Sequence, residues 1–202
     1  MRVRRGTMVR APPLPLSKDM TQNRGGKGAG AVLGAAAVVT GLVAGVFFAY
    51  ACSVMPAMAR SDDRVFVEVM RNINDVIQNP VFLAAFFGAP ILAGAAAWQH
   101  RTTGARAWTL AGFVLCAAVF LVTTAANVPL NEALATASDP SAARAAFEDS
   151  WAAWNTVRTV LSAAALASLV RAMSARKAAC RESTRGGRPT APHAPGGPTV
   201  AP

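Results

Sequence analysis

Two stretches of this chain carry no charge over lengths that cores of water-soluble domains rarely use. Gly28 to Ala59 contains no Asp, Glu, Lys or Arg over 32 positions, and Ala107 to Asn131 contains none over 25. A helix rises 1.5 Å per residue and needs about 20 apolar residues to cross a bilayer, so both stretches are long enough. Val76 to Gln99 is likewise uncharged, and Trp151 to Met173 is apolar except for Arg158 and Arg171. These four segments predict an all-α fold, a four-helix transmembrane bundle.

The net charge of +10 could be mistaken for a nucleic-acid signature. Its placement argues against one. Seven of the 20 basic residues precede Gly28, and six run from Arg171 onward. Arg101 and Arg106 join them if four helices cross, because the connection around His100 then falls on the same side. Arg60, Arg64, Arg71 and Arg144 fall on the other side with most of the acids. The positive-inside rule therefore predicts a multi-pass protein of the cell membrane with both termini cytoplasmic. Membrane lipids are the expected surroundings, and no nucleic-acid partner is expected.

Residues 1–28 and 176–202 are basic, rich in Gly and Pro and without apolar periodicity, so both are expected to be disordered tails around a membrane domain at 29–175. Pro56-Ala57-Met58-Ala59 resembles a signal-peptide cleavage site. The apolar run before it far exceeds the usual h-region of about 7–15 residues, which favours retention as helix one. That helix is expected over Ala31 to Val54, loosened by Pro56, with Gly34, Gly41 and Gly45 on one packing face. Ser61 to Gln78 reads as an extracytoplasmic amphipathic helix between helices one and two, capped by Ser61. Its apolar stripe is Phe66, Met70, Ile73 and Ile77. Helix two is expected over Val81 to Trp98 and helix three over Trp108 to Ala126, ending at Asn127-Val128-Pro129-Leu130-Asn131. Helix four should begin near Ser141, after the break at Asp139-Pro140. Three scattered cysteines do not make a disulfide framework: Cys52 and Cys116 read as buried small residues, and Cys180 as a reduced thiol in the tail.

Polar groups inside membrane segments are costly and prompt a functional hypothesis. Here they are Tyr50, Asn127, Asn131, Asn155 and Arg158. The predicted topology brings all of them to the extracytoplasmic ends of their helices, together with Asn74, Asp75 and Asn79. Trp151, Asn155 and Arg158 are spaced four and three apart and share one helix face. Arg158 needs an acceptor at that depth, for which Asp75, Glu132 and carbonyls released by Pro129 are the candidates. Such a network either staples the bundle or forms a ligand site, and both readings stay open. Trp98, Trp108, Trp151 and Trp154 read as interfacial anchors.

Two histidines, His100 and His193, cannot supply paired haem ligands between helices, and no Glu-x-x-His, zinc-spaced or phosphate-loop motif is present. An enzyme built on this chain is expected to use no firmly bound metal or cofactor.

Tyr50…Pro56, Asn74…Asn79-Pro80, Asn127-Val128-Pro129-Leu130-Asn131 and Trp151…Asn155-x-x-Arg158-Thr159 together resemble the anthrone oxygenase-like family of small four-helix membrane proteins. Many bacterial members of that family are domains of unknown function. The resemblance spans about Ala31 to Met173. It implies oxidation of an apolar, anthrone-like aromatic by molecular oxygen without a cofactor. It casts Arg158, Asn127 and Asn155 as anion-stabilising donors, Asp75 or Glu132 as the base and Tyr50 as a proton relay. Asn74, Asn131 and Trp151 would then contact the substrate. The rival expectation is a non-enzymatic bundle that binds a lipid, a quinone or a partner protein.

Overall fold

Uncharged segments in lipid must satisfy their backbone hydrogen bonds internally, and the fold does so almost wholly with helix. The computed structural model describes the backbone of residues 16–186 and the side chains of residues 28–178. Residues 1–15 and 187–202, parts of the two predicted tails, lie outside the described residues, and so does the Cys180 side chain. The helices are α1 (Leu16–Ala49), α2 (Met55–Met58), α3 (Asp63–Ile77), α4 (Pro80–Gln99), α5 (Arg106–Val122), α6 (Val128–Thr136) and α7 (Pro140–Gly186). α1 and α7 thus extend into segments read from sequence as tails.

A π-helical segment, Tyr50–Val54, joins α1 to α2, and a second, Thr123–Asn127, joins α5 to α6. Among the described residues there are therefore four rods long and apolar enough to cross a membrane: Gly28–Met58, Pro80–Gln99, Arg106–Thr136 and Pro140–Ala178. They form a ring in which α1 packs on α4 and α7, and α5 packs on the same two.

Two expected helix ends are corrected. Neither Pro56 nor Pro129 stops its rod, because each stands two residues beyond a π-helical segment. The residue before each proline donates its N–H five residues back, Met55 to Tyr50 O and Val128 to Thr123 O. A proline ring clashes with the carbonyl four residues earlier. In both rods that carbonyl, of Cys52 or Ala125, lies within the widened turn, which can move it aside.

The short amphipathic helix follows its sequence pattern. Phe66, Val67 and Met70 of α3 are buried and pack with Met55, Leu134, Phe147 and Trp151. α3 thus lies across one end of the bundle, against α6 and α7. Its cap is Asp62, whose carboxylate accepts from Val65 N at 2.9 Å, and not Ser61, which donates to Met58 O instead. Asn79 caps α4 by accepting from Val81 N and Phe82 N. Arg144 of α7 secures the turn before α3, donating to Ala59 O, Ser61 O, Asp63 and Glu148. Arg71 of α3 donates to Leu134 O and Ala137 O where α6 ends.

The glycine face expected on α1 does not hold helices together. A Cβ on Gly34 or Gly45 would meet nothing within 4 Å, and one on Gly41 would make only ordinary contact with Leu166. The close approaches are at Gly30, against the end of the Arg176 side chain, and at Gly112 of α5, where a Cβ would stand 2.7 Å from Leu169 Cδ2. Cys116 is buried as expected, against Thr40, but Cys52 is exposed. Gly112→Ala is expected to lower the thermal midpoint in detergent through overcrowding worth roughly 1–3 kcal/mol. Gly45→Ala, which fills open space, should leave the midpoint unchanged or slightly raised.

Candidate functional site

Just inside the end covered by α3, the four rods diverge around a cavity of about 380 Å³, within the usual range for small-molecule sites of about 300–1,000 Å³. Seven of the eight site residues expected from sequence line it: Tyr50, Asn74, Asp75, Asn131, Trp151, Asn155 and Arg158. Glu132, the other candidate base, also lines it. The eighth, Asn127, belongs to the second π-helical segment. It is 1% exposed and absent from the cavity wall. Neither of its amide atoms has a hydrogen-bond partner among the described residues.

The polar wall is built on one face of α7. Arg158 is 5% exposed, and its Nη2 donates to Asn155 Oδ1 at 3.0 Å. Asn155 in turn donates from Nδ2 to Phe47 O at 3.1 Å, which ties α7 to α1 just before the first π-helical segment. The guanidinium carbon lies 4.4 Å from the Phe47 ring centre and 5.2 Å from that of Trp151. Trp151 donates from Nε1 to Asn131 Oδ1 at 2.9 Å and packs against Tyr50 at 5.6 Å between ring centres. Trp151 is therefore a buried wall of the site, not an interfacial anchor. Trp98, Trp108 and Trp154 are exposed, as anchors would be.

The acceptor expected for Arg158 is also corrected. Neither Asp75 nor Glu132 makes an ion pair with it, and both carboxylates are exposed. A guanidinium carries five N–H donors. The described residues give Arg158 one hydrogen bond, and its buried Nε has no partner. Asn131 uses its oxygen on Trp151, which leaves its NH2 group as a donor on the same wall. Positive charge and amide donors on a low-dielectric wall favour an anionic or strongly polar oxygen.

The facing wall is aromatic, and the sequence reading missed it. Phe86 stacks on Phe82 at 5.8 Å and on Phe120 at 5.5 Å, with planes 13° and 28° apart, so three rings line the cavity in near-parallel array. The four-residue spacing of Phe82 and Phe86 puts them on one face of α4. Nothing local distinguishes that face from one turned to lipid. Phe47 was missed for a different reason, since its contribution is a backbone carbonyl. Among the described residues, no group of three or more His, Cys, Asp and Glu side chains could hold a metal ion.

These contacts make opposite stability predictions for neighbouring residues. Asn155→Ala strips Arg158 of its acceptor and should destabilise the bundle by roughly 1–3 kcal/mol. Arg158→Met removes a buried charge that has no carboxylate partner among the described residues, so it should leave the thermal midpoint unchanged or raise it. Thermal unfolding of both variants in one detergent checks the pair.

No curated protein and no solved structure matches the chain. The family model described as anthrone oxygenase matches residues 72–168. That interval takes in Asn74, Asp75, the Asn127 to Asn131 element, Trp151, Asn155 and Arg158, while Tyr50 and Pro56 precede it. Residues 72–168 are therefore an anthrone oxygenase-like domain.

Proposed function

We propose that this cavity binds a flat apolar molecule bearing an ionisable oxygen, and that the protein oxidises it with molecular oxygen. The single observation that carries the reading is Arg158, a buried guanidinium without a carboxylate partner among the described residues, on the wall opposite a bank of phenylalanine rings. A purely structural arginine at that depth would cost stability without return. An anionic ligand oxygen would complete its hydrogen bonds, and stacked rings would hold a planar ring system by offset stacking.

The anthrone oxygenase-like domain points to an anthrone-like substrate. In balanced form, the ring methylene and one O2 give a ring carbonyl and one water. Asp75 or Glu132 takes a proton from the methylene carbon, leaving an anion whose charge spreads to the oxygen across the ring. Arg158, Asn155 and Asn131 stabilise that oxygen. Asn127 lies off the wall, one turn before Asn131 in the same rod, and its amide has no partner among the described residues. Tyr50 passes protons between the carboxylate and the site. The electron-rich anion then reduces oxygen directly, which calls for no bound cofactor.

Purified protein in lipid nanodiscs should consume oxygen and form quinone from an anthrone faster than the spontaneous reaction. Arg158→Met should cut the rate by about 10²-fold while the protein stays folded. The combined Asp75→Asn and Glu132→Gln variant should cut it by about 10²-fold or more. A wild-type rate equal to background would sink the enzymatic reading. Tight binding of a quinone or lipid without oxygen uptake would favour the non-enzymatic bundle.

A further inference from the structure

We propose that the cavity is loaded sideways, from the membrane interior, through a gap between α4 and the α5–α6 rod rimmed by Phe87, Thr124 and Val128. This rests on the reading of the cavity as the site of an apolar molecule.

The cavity lining contains exposed residues of two opposite kinds. Asp75 of α3, Gln78 just beyond its end and Glu132 of α6 form one group. Phe87, Thr124 and Val128 form the other; Phe87 is 48% and Val128 38% exposed although both line the cavity. The second group stands within the uncharged segments. Phe87 is seven residues into α4, about 10 Å along its axis. Its exposed stripe continues at Ile91, one turn on, and Val128 ends a row that includes Val114 and Leu121. In a rod that spans a membrane, such stripes contact acyl chains.

The gap therefore opens where an apolar molecule is already dissolved. Passage by the other mouth would require leaving the hydrocarbon and crossing past two carboxylates before reaching the phenylalanine bank. Thr124 does not make the gap polar, because its hydroxyl donates to Phe120 O and Leu121 O. A ligand sliding in beside Phe87 meets Phe120 first, 5.7 Å away between ring centres, and the guanidinium wall last. The order favours flat, unbranched ring systems over bulky ones.

The experiment mixes vesicles carrying the protein with vesicles preloaded with a hydroxyanthraquinone and follows quenching of tryptophan fluorescence, Trp151 being on the cavity wall. Val128→Phe and Thr124→Phe should slow loading by about tenfold with little change in final quenching. Gln78→Phe, at the other mouth, should load at the wild-type rate. Phe87→Ala, which widens the gap, should load faster and covers the case in which a bulky variant misfolds. Wild-type rates in the Val128, Thr124 and Phe87 variants, or slowing by Gln78→Phe alone, would overturn the side opening. Saturable quenching of wild type with that outcome leaves the cavity assignment standing, whereas no quenching of wild type at all overturns both.

Discussion

Proline placement governs how the candidate site is built. Two of the four rods carry a proline inside the rod near the end covered by α3, beyond its first turn, and a helix in lipid cannot leave a backbone group without a partner. Each rod meets the demand in the same way, with a five-residue π-helical segment ending two residues before the proline. The rods therefore run on, to Met58 and to Thr136, and do not end at the apolar boundary. Short π-helical insertions tend to occur at functional sites, where they re-aim side chains. Here one begins with Tyr50, and the other contains Thr123 and Thr124 and leads into Val128, all on the cavity wall.

The guanidinium of Arg158 depends on that framework. Its one described hydrogen-bond acceptor, Asn155, is itself anchored on the carbonyl of Phe47, three residues before the first π-helical segment. Two aromatic faces supply the remaining neutral support, which is weaker than a carboxylate would give. The site is thus left with surplus positive character in a place of low dielectric. Proteins commonly accept lower stability at such points in exchange for activity. α3 closes this end through an apolar stripe and two arginine clamps, Arg71 and Arg144, each spanning separate elements.

Much of the candidate site was legible as residue types. Tyr50, Asn131, Asn155 and Arg158 stand out because polar groups are rare in apolar segments, and a common helix end gathers them. The partners were not legible. By charge and by proline position, the sequence offers Arg158 a carboxylate, Asp75 or Glu132, or a carbonyl released by Pro129. The fold instead supplies an amide and two rings, because Asp75 and Glu132 sit on α3 and α6 at the exposed mouth. Gly34, Gly41 and Gly45 share a face by spacing, yet the tight contacts fall at Gly30 and Gly112, because spacing says nothing about which face meets a neighbour.

The amino-acid sequence by itself determined the four apolar rods, the amphipathic cap with its stripe, the turn at Asn79-Pro80 and the set of polar residues at one end. These follow from length, periodicity and local capping, all properties of contiguous residues. The tertiary structure alone decided that the rods continue through Pro56 and Pro129, that Asn127 is buried off the wall, and that Phe82, Phe86 and Phe120 form the opposite wall. It also decided that a cavity of about 380 Å³ remains between them. Each of these depends on how far apart helices stand and which faces they turn to one another, and that is set by packing among residues distant in the chain.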